Sequence, residues 1–444
     1  MFLKTLRVDQ SEAFEKAKPL GGFALLSEQR VGKTPVSVAL IDHWKPARVL
    51  VITTVNGIPV WKKEFRESLV VDWPCIIRII NYAQLRKAKR RREIYRWLEA
   101  ADSITISDEA HNIKRRGSKQ SKFVRGCGKR SVYKLALTGT MIANGLEDAW
   151  AIFNFFRPSA FGSFETFARR HLRLGGFRGK KVVGYKNKER FARILERYSY
   201  RITLREARAR SGKTGLVSVS SKQFVSFEDR SNEIYNQLEE EMFAIVDDED
   251  VTTDLAITQS MKMQQLAGGF IITDAGNVRR VGSEKLNHLA KLFTTNRKLR
   301  DGKVVIVARF LHEIRAIDQL MRKLGRTTQI ISGGSPWTGH FHADTAILQI
   351  QSGAAIDLAS ANSIIFFSWD YSYINLAQTR FRVLSFDTDR VNYYFILVRG
   401  SIDEQLYQAV TSKMDFATLI LDHYRNRRRR CPTKRSPSRN PPRS

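Results

Sequence analysis

The sequence predicts an α/β protein made of two parallel-sheet blocks, and three observations carry that expectation. Short apolar runs alternate with helical patterns through the first 157 residues, and a second series of the same design has its first strand at Val304. Between them, residues 158–283 are polar, helical in pattern and poor in buried-strand runs. From about Arg425 the chain turns to Arg, Pro and Ser with almost nothing apolar, the composition of a disordered basic tail.

In the first block the expected strands are Phe23–Leu26, Val49–Thr53, Ile76–Ile80, Ser103–Ile106 and Leu135–Leu137. Helices are expected at Pro35–Trp44, Ala83–Glu99 and Leu146–Phe155. This is the βαβ rhythm of a parallel sheet covered on both faces. Pro35 suits the first turn of a helix, where its missing N–H costs nothing. In the middle, Ser231–Val246 and Asp254–Leu266 read as helices and Asp247-Asp248-Glu249-Asp250 as a loop. The second block offers strands Val304–Val307, Gln329–Ile331, Ala346–Ile350, Ile364–Phe367 and Tyr393–Leu397, with helices Leu311–Lys323 and Ile402–Ala409.

At 444 residues the chain has room for two or three domains. Its 43% hydrophobic and 27% charged residues are ordinary for a globular protein, but 75 Lys+Arg against 44 Asp+Glu give a net charge of +31. Setting aside the nine basic residues of 425–444 leaves +22, so the excess is spread through the folded part. That favours a polyanionic partner over a merely soluble basic protein. A membrane surface is disfavoured, because no long basic amphipathic helix has an aromatic face. Cys75, Cys127 and Cys431 stand alone, which fits a reducing compartment and argues against zinc. With no signal peptide and no apolar span, a cytoplasmic location is expected.

Two segments carry chemistry. Ser27-Glu28-Gln29-Arg30-Val31-Gly32-Lys33-Thr34 follows the first strand and opens a helix, where backbone N–H groups and the helix N-terminus can cradle phosphates. Lys33 would pair with the β- and γ-phosphates, and the Thr34 hydroxyl would ligate Mg²⁺. The full loop pattern asks for Gly at position 27, where Ser stands. The second segment, Asp108-Glu109-Ala110-His111, ends the strand that begins at Ser103. There Asp108 would hold the metal and Glu109 would orient or deprotonate the attacking water. Together the two point to a nucleoside triphosphatase.

The segment Asp108 to Lys114, then Ser118-Lys119-Gln120, Leu137-Thr138-Gly139-Thr140 and Asn144-Gly145-Leu146-Glu147-Asp148, resembles a superfamily 2 DEAH-box helicase of the Swi/Snf-like group. Leu6-Arg7 with Gln10 resembles the adenine-reading Q motif. Trp61-Lys62-Lys63-Glu64-Phe65 and Asn81-Tyr82 also match. So do Gln264 to Phe270, Ser283-Glu284-Lys285 and Ile402-Asp403-Glu404, in order. The likeness covers roughly residues 6–410, and the size is similar to that of compact phage-encoded members.

The resemblance implies two RecA-like parallel-sheet lobes with helical protrusions. Residues 1–215 form the first (protrusion about 158–200) and 216–423 the second (protrusion about 228–280), with a disordered basic tail at 424–444. It implies ATP and Mg²⁺ in the cleft, DNA across it, and DNA-dependent translocation, in replication, repair or recombination. Gln10 would read adenine and His111 would couple the site to the opposite lobe, with Thr138, Gly139 and Thr140. Arg382 would act as the arginine from the second lobe, with Arg380 as substitute. The family has a further arginine where Ser385 stands, Gly where Arg30 stands, and a second glycine that Gly353-Ala354-Ala355-Ile356-Asp357 lacks. These departures keep open a DNA-binding scaffold with a degenerate ATPase. A motor subunit of a nuclease complex is a further alternative, and an RNA substrate remains possible.

Two basic runs bear on the partner. Residues 86–96 hold seven Lys/Arg and one acid, and residues 114–134 hold nine and none. Such runs neutralise phosphates. Because no base-reading module is present, sequence-independent binding to duplex or branched DNA by a monomer is expected. The close pair His340 and His342 reads as surface loop rather than metal site.

Overall fold

In the computed structural model the described residues are 1–142, 145–176, 181–213, 215–253, 256–333, 341–352 and 357–413. The expected basic tail, Asn144, His340 and the stretch Gly353-Ala354-Ala355-Ile356 lie outside them. The first sheet has six strands: β1 (Gly22–Leu25), β2 (Arg48–Thr53), β3 (Ile76–Asn81), β4 (Ser103–Asp108), β5 (Tyr133–Leu137) and β6 (Ser199–Tyr200). They lie in the order β3-β2-β4-β5-β1-β6, all parallel. Strands β1, β2 and β5 carry buried apolar residues on both faces, as a sheet covered by helices on both sides requires, whereas β4 turns Ile104 and Ile106 to one face and the buried Ser103, Thr105 and Ser107 to the other. Along β2, Leu50 and Ile52 enter one core while Val49 and Val51 enter the other.

The second sheet repeats the design with β7 (Val217–Val225), β8 (Val304–Ala308), β9 (Thr328–Ile331), β10 (Thr345–Gln349), β11 (Ser363–Phe366) and β12 (Arg390–Val398). The order is β9-β10-β8-β11-β12-β7, again all parallel. The two sheets establish the α/β class. Side chains join them: the buried Arg208 pairs with Asp389 at 2.6 Å, and the Arg7 guanidinium lies 4.4 Å from the centroid of Phe386.

Several elements differ from expectation. The helix expected over Ala83–Glu99 is split into a 3₁₀ turn, Tyr82–Arg86, and a helix, Ala88–Glu99, because the Asn81 side chain accepts the Gln84 N–H at 3.0 Å and starts a turn of its own. The helix expected to reach Val246 stops at Glu240, and Phe243–Val246 pairs with Glu249–Thr252 as a hairpin. Asp247 and Asp248 form its two-residue turn, with φ of 50° and 62°. Strand β7 was not expected, because its Val-Ser-Val-Ser-Ser-Lys-Gln-Phe-Val run is an exposed edge with too little apolar content to read as buried. Hairpins Leu172–Gly175/Lys181–Tyr185 and Phe270–Ile272/Val278–Arg280 further correct the helical reading of the middle region.

A buried polar knot sits at the carboxyl end of the second sheet. Lys285 pairs with Asp403 at 2.6 Å and donates to the Phe367 carbonyl at 2.8 Å. Beside it, Glu313 accepts the Phe310 N–H at 3.0 Å, the Arg309 N–H at 3.2 Å and the Ser368 hydroxyl. Burial raises the Glu313 carboxyl to about 7, against the pull of Ser368 and Lys285. A carboxyl raised above its unfolded value contributes stability that is full below that value and lost as pH rises through about 7. Glu313→Gln does not titrate, so the gap in thermal midpoint between it and the unmodified protein should narrow from about pH 5 to about pH 8. A constant gap in calorimetry would show that Glu313 keeps one charge state.

Candidate active site

Parallel pairing makes the strand ends level. Leu25 of β1 faces Leu137 of β5, Leu137 faces Asp108 of β4, and Ser107 faces Ile52 of β2. The segments that follow these strands therefore open at one edge, where ligand sites of such sheets lie. After β1 the chain turns through residues 26–32 into the helix Lys33–Trp44. Gly32 caps that helix at φ 83°, and a Cβ there would come within 2.5 Å of the Gln10 amide nitrogen. The left-handed turn is what requires glycine, since the end of the Gln10 side chain can swing clear of a Cβ.

The loop is braced from several sides. Gln10 donates to the Gly32 carbonyl at 3.1 Å and accepts the Arg7 N–H at 3.0 Å. Glu28 turns away from the cleft to accept the Leu204 N–H at 2.8 Å, and burial raises its pKa. Val31 is buried in an apolar cluster shared with the second lobe. Lys33 donates to the carbonyls of Ser27 at 2.9 Å and Glu28 at 3.2 Å. Burial pushes its pKa down, with Glu109 and Asp108 opposing.

Asp108 is held by three donors. Thr53 Oγ1 at 2.8 Å and Trp61 Nε1 at 2.9 Å reach Oδ2, and the Glu109 N–H reaches Oδ1 at 3.0 Å. Burial and the neighbouring Glu109 raise its pKa. Glu109 stands at φ 49°, a left-handed conformation that costs a non-glycine residue about 1–2 kcal/mol. Burial alone would raise its pKa, yet His111, Lys33 and Arg382 outweigh that and bring it to about 2. His111 Nδ1 lies 3.2 Å from Glu109 Oε2, and the Thr138 and Thr140 hydroxyls approach the same nitrogen at 3.3 and 3.4 Å. The other ring nitrogen is 3.4 Å from Gln378 Nε2 of the second lobe. With the amide assigned in that sense, His111 accepts from Gln378 and donates from Nδ1. Gly139 lies against the backbone of Ser27–Gln29.

Gly32, Lys33, Asp108, Glu109 and Gln378 face one cavity of about 400 Å³, while His111, Thr138, Gly139 and Thr140 stand behind its lining. From the first lobe it is lined by Gln29, Arg30, Gly32, Lys33, Thr34, Thr54, Gly57, Val60, Asp108 and Glu109, and from the second by Asp357, Gln378 and Arg382. Arg382 is 7% exposed, and burial lowers its pKa to about 10 against the attraction of Glu109, so it stays charged at neutral pH. Arg380 stacks on Tyr393 at 4.4 Å and is not among the lining residues, nor are Gln10 and Ser27.

A model of the SNF2-related domain matches residues 38–270, just over half of the chain. The chain belongs to the SNF2-related family. It is 34% identical over 111 residues to the ISWI chromatin-remodeling complex ATPase CHR17 of Arabidopsis thaliana, covering 25% of this chain and 10% of that protein. It is 24% identical over 433 residues to the DNA repair and recombination protein RDH54 of Saccharomyces cerevisiae (strain YJM789), covering 86% of this chain and 45% of the relative. The chain thus spans less than half the length of these relatives. Among solved structures it is similar to the Sulfolobus solfataricus SWI2/SNF2 ATPase core in complex with dsDNA, at 19% identity over 95% of this chain and 94% of that one. The TM-score of that pair is 0.43.

For this SNF2-related domain the donor chemistry fits Mg²⁺, which takes one or two carboxylates and completes its shell with water and phosphate oxygens. Asp108 and Thr34 line the cavity together, and no cluster of three or more His, Cys, Asp or Glu competes among the described residues. The sequence reading missed Thr53 and the indole N–H of Trp61 as the groups that aim Asp108. In the sequence Trp61 stands only as part of a segment that matches the resemblance, because nothing local shows where its helix docks. Trp61→Phe should keep the fold and raise the Mg²⁺ concentration for half-maximal turnover about tenfold. An unchanged Mg²⁺ titration would remove the indole from the metal's support.

Proposed function

We propose that the chain is a DNA-dependent ATPase that couples ATP hydrolysis to movement along duplex DNA. The observation that carries this reading is the single cavity shared by Lys33, Thr34, Asp108 and Glu109 of one lobe and Gln378 and Arg382 of the other. Backbone N–H groups at Gly32 and the helix N-terminus bind the phosphates. Lys33 leaves the Ser27 and Glu28 carbonyls for the β- and γ-phosphates. Thr34 and Asp108 hold Mg²⁺, which neutralises charge on the phosphate oxygens when bound.

Glu109, kept ionised by His111, Lys33 and Arg382, orients or deprotonates the attacking water. The water oxygen bonds to the γ-phosphorus and the bond to the β-bridging oxygen breaks. ADP leaves, and the water's proton goes to the departing phosphate. Arg382 stabilises the charge that spreads over the γ-phosphoryl oxygens. His111 senses the cleft through Gln378, which makes hydrolysis a cross-lobe event. Gln10 reads adenine only by giving up its contact with Gly32, so bracing the loop is its first role.

The DNA partner is supported by the charge. On the helices Ala88–Glu99 and Lys119–Arg130, Lys89, Arg90, Arg92, Lys119, Lys122 and Lys129 are exposed, while Arg125 and Arg130 are partly buried against Trp150 and Tyr95. Work in repair or recombination is the finer reading, because RDH54 is named for both. Monomeric action and a cytoplasmic site belong to the same proposal. A phage-type origin draws no support from the plant and yeast relatives above.

Lys33→Ala and Glu109→Gln should each lower DNA-stimulated ATP hydrolysis at least about 10³-fold while leaving DNA affinity within about threefold. Turnover unaffected in either variant would sink the assignment. Replacing Lys119 and Lys122 together by Ala should reduce the slope of log affinity against log salt by about 2. An unaltered slope would move the DNA to another face.

A further inference from the structure

Two departures from the family pattern, Arg30 and the segment ending at Asp357, meet in the structure. The Arg30 guanidinium bonds the Asp357 carboxylate at 2.9 Å and approaches the Arg382 carbonyl at 3.4 Å, across a separation of 327 residues in the first case. Arg30 thus leaves the phosphate loop, crosses the cleft and ends beside Arg382. Its backbone sits at φ 66°, where glycine would cost nothing and arginine costs about 1–2 kcal/mol. A side chain kept at such a cost points to a use.

The electrostatics narrow that use. Burial does most to pull the Arg382 pKa down and repulsion from Arg30 adds to it, while Glu109 and Asp357 pull it up. Lys33 lines the same cavity. Three cations thus converge from the loop, its helix and the second lobe, an arrangement that favours a multiply charged anion. Ser385, where the resemblance asks for a second arginine, instead bonds Thr388 at 3.0 Å in a turn and supplies no charge.

We infer that Arg30 supplies the second arginine of the phosphate site from the first lobe, contacting the γ-phosphate of bound ATP in exchange for its bond to Asp357. A carboxylate oxygen and a phosphate oxygen offer guanidinium the same acceptor chemistry, so the two compete for one fork. ATP, which carries the γ-phosphate, takes Arg30 from Asp357; ADP does not. The exchange loosens one cross-lobe tie as it completes the charge around the phosphate. This rests on the ATPase reading above.

The test separates nucleotide affinity from turnover. In the Glu109→Gln protein, which binds without hydrolysing, adding Arg30→Gly should weaken ATP about tenfold by calorimetry and change ADP less than about twofold. With Glu109 intact, Arg30→Gly should lower DNA-stimulated kcat at least about 10²-fold, and Asp357→Asn should tighten ATP without affecting ADP. Glycine suits the left-handed position, so folding is not at risk. Equal losses of ATP and ADP would show that Arg30 only shapes the loop, and wild-type turnover in Arg30→Gly would show that it is only a clasp. Either would overturn the inference. If the unmodified protein binds neither nucleotide, the ATPase reading itself fails, a result distinct from both.

Discussion

The constraint on which the rest of the structure depends is the burial of Lys33 opposite Asp108 and Glu109. A lone buried ammonium or carboxylate would cost several kcal/mol, so each requires the other and a full set of hydrogen bonds. The sheet meets that demand through register. Leu25, Leu137 and Asp108 lie level, so loop and carboxylates reach the same edge at the same height. Thr53 and Trp61 then occupy one oxygen of Asp108, and the Glu109 N–H occupies the other. The carboxylate keeps one orientation because its hydrogen bonds leave it no other.

The second lobe has its own buried ion pair, Lys285–Asp403, with Glu313 beside it. This knot ties the inserted helix Ala256–Ala267 to the sheet through Gln264, which accepts from Arg309. Segments separated by more than a hundred residues of chain are thereby tied into one support. Packing carries this support to the first lobe through Val31, and polar contacts carry it through His111–Gln378 and Arg30–Asp357. The cleft is therefore coupled at apolar, neutral and charged points, which differ in how each responds to an incoming anion.

Two of the left-handed non-glycine residues stand where these couplings meet. Arg30 and Glu109, both lining the cavity, hold left-handed conformations that glycine adopts freely. At Glu109 the turn swings the carboxylate toward His111 and the cationic groups that keep it ionised. At Arg30 it sends a long side chain over the cleft instead of along the loop. In both places local cost is exchanged for placement of a charge, the usual location of strain in a working site.

The α/β class was legible in the residue pattern, because most of the buried parallel strands are apolar along their length and phosphate-type turns are chain-local. Strands β2, β8 and β11 and the helix Leu311–Lys323 were legible for that reason, as was the pairing of the Gly32-Lys33-Thr34 turn with Asp108-Glu109. The edge strand β7 and the hairpin at Asp247-Asp248 were not, since exposed strands carry little apolar signal and a strand of four residues is easily absorbed into a neighbouring helix. Tertiary structure alone decided that Thr53 and Trp61 aim Asp108, that Arg382 rather than Arg380 faces the cleft, and that Arg30 meets Asp357. Local pattern sets which face of an element is buried; only the packing of distant elements sets what its polar atoms touch.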